Sequence, residues 1–106
     1  MSSAPIIRNL ELLLEQGQDT AVLRFSLGSA YLKEKQWVKA IEHLQQAVIC
    51  DPEYSAAWKQ YGKALVENEQ VAEAVAVYQK GIEVAQNKGD IQAVKEMTVF
   101  LKRLQK

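Results

Sequence analysis

Apolar residues recur at helical spacing along nearly the whole chain, and no segment shows the strict alternation of a half-buried strand. The first stripe is Ile6, Ile7, Leu10, Leu13 and Leu14. It predicts a helix over residues 5–16, with Pro5 suited to its first turn and Gly17 to a left-handed stop. A second helix follows to about Glu34, capped by Asp19 or Thr20. The third spans Trp37 to Cys50 and closes at Asp51-Pro52. Ser55 can cap a fourth that runs to about Asn68, and the fifth runs from Val71 to about Gln86, with Asn87-Lys88-Gly89 as its stop. Asp90 then caps a sixth over residues 90–105, with Val94, Met97, Phe100, Leu101 and Leu104 on one face. Six helices joined by short loops pack antiparallel with their chain neighbours.

A longer period lies over the helical one. Gly28 and Gly62 are 34 residues apart, and Ala30/Ala64, Gln36/Gln70, Ala40/Ala74 and Gln45/Gln79 repeat at the same interval. The apolar pairs Leu27/Tyr61, Tyr31/Leu65, Ile41/Val75, Leu44/Tyr78 and Val48/Ile82 keep step without a gap. A fixed period of this length marks an all-α array of stacked helix pairs. Glycine in mid-helix costs about 1 kcal/mol against alanine, so Gly28 and Gly62 need a packing reason. The expected one is close backbone approach: Ala40, Ala47, Ala74 and Gly81 answer them on the facing helices, and Tyr31, Trp58, Tyr61 and Tyr78 fill the space between successive pairs. Cys50 continues the stripe of Leu44 and Ala47 and is expected as a small core residue.

In this frame the chain resembles the tetratricopeptide repeat family, whose pattern is W-x2-L-G-x2-Y, then A-x3-F, a small residue and a proline. Residues 21–54 supply Leu27-Gly28-x2-Tyr31, Ala40-x3-Leu44, Ala47 and Pro52, with Arg24 where the family prefers tryptophan. Residues 55–88 supply Trp58-x2-Tyr61-Gly62-x2-Leu65, Ala74-x3-Tyr78 and Gly81, with Gln86 where proline would stand. The resemblance implies a right-handed α-α superhelix and a single domain over residues 1–106. Helix 5–16 is then the second half of a missing earlier repeat, and helix 90–105 is a capping helix, the first half of a missing later one. In strict frame that last helix would bury Lys95 and Glu96. Sliding it by two residues instead packs Val94, Met97, Thr98 and Leu101, which predicts a turn around Asn87–Asp90 two residues longer than its predecessors.

Family members bind an extended peptide or a partner helix in a concave groove lined by the first helix of each repeat. Carried over position by position, that groove presents Val22, Phe25, Ser29, Leu32 and Lys33, then Ala56, Lys59, Lys63, Val66 and Glu67. Lys95, Val99 and Lys102 follow from the shifted last helix. Such a surface, apolar near Phe25 and basic around Lys59, Lys63 and Lys95, complements a peptide with a hydrophobic anchor and acidic neighbours. The carboxylate clamp of chaperone-binding members is not matched: its positions hold Phe25, Ser29, Lys63, Gln92 and Glu96. Trp37 opens the third helix where the family prefers an aromatic, and is expected half-buried across the turn.

Composition narrows the rest. Apolar residues make up 48% and charged residues 25% of 106, and the formal net charge is zero, which argues against a general nucleic-acid binder. Residues 88–106 carry five basic side chains against Asp90 and Glu96, an arrangement that suits the C-terminal end of a helix dipole. Cys50 is the only cysteine, so no intrachain disulfide can form, in keeping with a reducing compartment. The opening residues lack a basic n-region, and Arg8, Glu11 and Glu15 interrupt any apolar run, so neither a signal peptide nor a membrane span is expected. His43 is expected on the outer surface. No phosphate loop, metal-ligand spacing or nucleophile–base set is present, which points away from catalysis and from any cofactor. The expectation is a cytoplasmic, non-catalytic adaptor that binds a protein or peptide. The alternative is a self-associating structural protein, a homodimer for instance, that buries the open edges of its terminal helices at Ile6, Ile7 and Leu10 or at Phe100 and Leu104.

Overall fold

Six helices account for the regular structure in the computed structural model, which describes residues 3–106. Met1 and Ser2, where the reading of the N-terminal segment begins, lie outside the described residues. The helices are α1 Ala4–Glu15, α2 Ala21–Lys33, α3 Trp37–Cys50, α4 Ser55–Glu67, α5 Val71–Lys88 and α6 Ile91–Leu104, and no strand occurs among the described residues.

Side-chain caps close the starts of α2 and α6. Thr20 Oγ1 accepts the Leu23 N–H at 3.1 Å and caps α2, while Asp19 is engaged in a two-pronged ion pair with Arg24 at 2.7 and 3.0 Å. Asp90 Oδ1 accepts the Ala93 N–H at 3.2 Å and caps α6. Ser55 is not a cap: it is the first residue of α4, and its hydroxyl donates to Asp90 Oδ2 at 2.7 Å, tying the start of α4 to the start of α6. Gly17 and Gly89 take the left-handed conformation after α1 and α5, with φ of +90° and +77°.

Every helix packs on its chain neighbours. In addition α4 meets both α2 and α6, whereas the backbones of α3 and α5 do not meet among the described residues. The array is therefore curved, with α2, α4 and α6 side by side on the inner face and α3 and α5 splayed on the outer one. This is an all-α superhelix of antiparallel helix pairs.

The glycine seams differ from expectation in detail. A Cβ on Gly28 would stand 2.4 Å from Leu44 Cγ, and one on Gly62 would stand 2.5 Å from Tyr78 Cε1. Each glycine thus receives the large side chain of its partner helix, with the expected approach of Ala40 also present at Gly28 (its carbonyl oxygen at 3.3 Å), and Leu44 and Tyr78 are themselves equivalent positions of the 34-residue period. Gly81 works between pairs: a Cβ there would meet Met97 Sδ at 2.6 Å and Trp58 Cβ at 2.9 Å.

The two-residue slip before α6 is present, but it does not sit in the turn. α4 starts 34 residues after α2 and α6 starts 36 after α4, because α5 has 18 residues against 14 in α3 while the connector shortens from residues 51–54 to residues 89–90. The shift buries Ala93 and Met97, packs Val94 and Leu101 beside them, and leaves Lys95 exposed.

Two further expectations are corrected. Cys50, the last residue of α3, is exposed, although Ala47 and Val48 of the same turn are buried. His43 is buried, not on the surface. Its ring stacks on Tyr31 (5.5 Å between centroids, 3° between planes), Nδ1 lies 3.1 Å from Arg24 Nη1, and Nε2 lies 3.3 Å from Glu11 Oε1. Glu11 also accepts the Tyr31 hydroxyl at 3.0 Å. Arg24, which replaces the expected tryptophan, therefore joins Asp19 and His43 in a polar chain that ends on α1.

Candidate binding groove

The inner face carries two adjoining hollows. One lies between α2 and α4 and is lined by Ser29, Leu32, Lys33, Gln60, Lys63 and Glu67, with Lys35 and Trp37 from the turn into α3; its volume is about 330 Å³. The other, about 290 Å³, lies between α4, α5 and α6. Lys63 and Glu67 belong to both, so the two form one continuous depression along the inside of the curve.

Local structure sets each lining residue. Trp37 is half-buried, packed on the core cluster of Leu27, Tyr31, Leu32 and Leu44, and closes the outer end of the first hollow. Lys35 takes φ +59° at the end of α2, where the Gln36 N–H donates back to the Tyr31 carbonyl at 3.0 Å. Ser29 Oγ is buried and has no hydrogen-bond partner among the described residues. Four cations, Lys33, Lys35, Lys63 and Arg103, stand at these hollows against the single acid Glu67, and none of the four is ion-paired among the described residues.

The residues carried over from the family pattern separate into two groups. Ser29, Leu32, Lys33, Lys63, Val66 and Glu67 line the depression. The other seven, Ala56, Val99 and Lys102 among them, do not. Val22 is 64% exposed near the start of α2. Phe25 turns its ring onto Tyr54 at 4.9 Å and packs with Ala47, Val48 and Ala57, so it closes the seam between the helix pairs. Lys59 is held by Glu96 at 3.2 Å across α4 and α6. Lys95 stands beyond, at a third hollow of about 340 Å³ with Gln86, Ile91 and Val94. The basic and apolar centre thus lies nearer the C-terminal ends of α2, α4 and α6 than Phe25 and Lys59 suggested. Gln60, Phe100 and Arg103 were not among the groove positions carried over, and Trp37 was drawn from the family pattern only as a half-buried aromatic; that aromatic and the basic run after residue 100 were the available signals.

The terminal edges also differ. Ile7, Leu10, Phe100 and Leu104 pack inward on the core. The exposed apolar side chains on the end helices are Ile6 and Leu12 of α1 and Ile91 and Val99 of α6.

Titrating groups stay close to structural roles. Burial holds the His43 imidazole below its ordinary value. Hydrogen bonds from Arg24 to Asp19, and from Ser55 and the Ala93 N–H to Asp90, hold both carboxyls below the usual range. Among the described residues no group of three or more His, Cys, Asp or Glu could hold a metal ion, and no helix is long and apolar enough to cross a membrane.

Comparison with known proteins agrees with this architecture. A family model described as tetratricopeptide repeat matches residues 31–97. A TPR repeat-containing protein of Pseudomonas aeruginosa is 46% identical over 99 residues, spanning 93% of this chain and 94% of the relative. A protein of Bordetella parapertussis, solved in solution, superposes with a TM-score of 0.82 at 44% identity and covers 93% of this chain and 86% of that one. A heat-shock cognate co-chaperone of Aspergillus fumigatus, sgt12, is 38% identical over 61 residues, 58% of this chain but only 18% of the co-chaperone. The fold of the Sgt2 TPR domain from the same organism is similar at a TM-score of 0.72 and 24% identity, over 91% of this chain and 66% of that one.

Proposed function

The chain belongs to the tetratricopeptide repeat family, and on that premise we propose that it is a non-catalytic adaptor whose inner face takes an acidic peptide or the acidic face of a partner helix. The observation that carries this reading is the continuous depression on α2, α4 and α6 with four free cations and one acid. Cations fixed on a concave surface steer and register an acidic partner, while half-buried Trp37 and the apolar floor supply contact area. The co-chaperone relative does not bring a chaperone tail with it. Gln92 and Glu96 stand where that clamp needs two basic residues, and Glu96 already engages Lys59. The exposed Cys50, with no second cysteine in the chain, suits a reducing, cytoplasmic setting.

The test is a chemical-shift titration with hexaglutamate. The expected response is confined to the depression, at Ser29, Lys33, Lys35, Trp37, Gln60, Lys63 and Arg103, and the Lys33→Glu/Lys63→Glu double variant weakens it about tenfold, as for two exposed charge pairs reversed. Perturbations on α3 and α5, or indifference to those substitutions, would defeat the proposal.

A second reading, self-association, draws on exposed Ile91 (67%) and Val99 of α6. It requires a sedimentation-defined dimer that Ile91→Glu dissociates. The two readings are compatible, since neither residue lines the depression.

A further inference from the structure

The hollow between α4, α5 and α6 differs in chemistry from its neighbour. Val66, Tyr78, Phe100 and Leu104 form its apolar floor, and Lys63, Glu67 and Arg103 are exposed at its rim. The hollow reaches Tyr78, whose ring is otherwise enclosed by Gly62 and by Phe100 at 5.8 Å between centroids. The Tyr78 hydroxyl has no hydrogen-bond partner among the described residues, and burial alone pushes its pKa up to about 12. A volume of about 290 Å³ sits at the floor of the range for small-molecule clefts, roughly 300–1,000 Å³, and suits one or two side chains better than a cofactor.

We infer that this hollow is an anchor site for one bulky apolar side chain, aromatic above all, of a partner segment that carries a carboxylate next to that side chain. The floor supplies aromatic and aliphatic contact. Arg103 and Lys63 supply the complementary charge at the distance of a neighbouring residue, and Glu67 disfavours a basic one. Anchor residues of this kind, seated in a desolvated pocket inside a polar rim, dominate the energetics of protein interfaces. The inference rests on the adaptor reading, and it adds which side chain the partner presents and where.

N-acetyl-tryptophan is the probe, because it joins an indole to a carboxylate. Titrated into the full chain, it is expected to give saturating, low-millimolar shifts at residues 63–67, 78 and 100–104. The neutral N-acetyl-tryptophan amide, and the Arg103→Glu variant with the acid, should bind about three- to fivefold more weakly. N-acetyl-aspartate should give no saturating shift there. Val66→Phe should abolish binding by filling the hollow; Arg103→Glu, at an exposed position, keeps the test valid if that variant fails to fold. Absence of a saturating response to N-acetyl-tryptophan, or equal binding of acid and amide, overturns the inference. So do shifts at these residues that depend on protein concentration without any probe, since they assign the hollow to a second copy of the chain. If hexaglutamate still perturbs Ser29, Lys33 and Lys63, the adaptor reading survives without its anchor; silence in both titrations removes both.

Discussion

Gly62 is the glycine that faces a rigid ring. An added Cβ would lie within 2.8 Å of three ring atoms of Tyr78, and that ring is pinned by Phe100 on its other side. Alanine would gain about 1 kcal/mol of helix propensity there, but overpacking a rigid core costs about 1–3 kcal/mol. Gly62→Ala is therefore expected to lower the thermal midpoint, and Gly62→Leu to abolish the cooperative transition seen by circular dichroism. The opposite sign is expected at Glu69. It takes φ +61° where the Gln70 N–H closes onto the Leu65 carbonyl at 2.8 Å, the geometry that favours glycine. Glu69→Gly should stabilise by about 0.5–1 kcal/mol, raising the midpoint by a few degrees, because the left-handed penalty it removes exceeds the entropy glycine adds. The spacing of Gly28 and Gly62 announced a close seam. It did not say that Leu44 and Tyr78 fill that seam, because a period identifies equivalent positions and not which of them touch.

At the scale of elements, α1 is the helix held most by polar contacts. None of its residues is fully buried; Ile7, Leu10 and Leu14 lean on the core, and Glu11 reaches Tyr31 and His43. His43 fits this chain as the neutral tautomer, with Nε2–H donating to Glu11 and Nδ1 accepting from Arg24. Burial is the first cause of its lowered pKa, with Arg24 adding to it and Glu11 opposing. Lys39 stands over the Tyr31 ring at 5.4 Å, and Glu42 on its own helix also acts against the shift. Because the folded value lies below the unfolded one of 6.5, this stability is complete above about pH 6.5 and is lost as pH falls through the folded value. Urea unfolding followed between about pH 7 and pH 5 should show that loss, and His43→Gln should flatten it. Asp19 and Asp90, also depressed, lose their contributions only below the ordinary 3.8, so the two windows separate. The histidine looked like a surface residue because its helix neighbours, Lys39 and Ala47, are undistinguished. Its partners, Glu11 and Arg24, come from other helices, and nothing in a single sequence pairs them.

For the whole molecule, the stacking was legible because it depends on volume and period, and both are local properties of the chain. The groove was legible in part. Ser29, Leu32, Lys33, Lys63 and Val66 line the depression where the family resemblance placed them, whereas Lys59 and Phe25 are diverted by Glu96 and Tyr54, contacts between elements that the family pattern does not contain. The same distinction makes the two ends unequal. α1 leans on a core that α2, α3 and α4 already close, with Leu27, Ala40, Leu44 and Ala64 wholly buried. α6 instead supplies Ala93 and Met97 to a cluster that otherwise holds only Tyr78 and Ala85 as buried residues, and Met97 is the side chain seated on Gly81. In a stacked array each unit is stabilised mainly by its neighbour, so removing a helix that builds a core exposes the next pair. A chain shortened to residues 18–106 is expected to melt cooperatively at a lower temperature. A chain shortened to residues 1–90 is expected to lose its sharp transition and to bind a hydrophobic dye, since Tyr78, Gly81 and Trp58 would face water together. Equal melting of the two truncations would mean that the array is closed by its first helix as firmly as by its last, and the account of α6 as a core-building helix would fall.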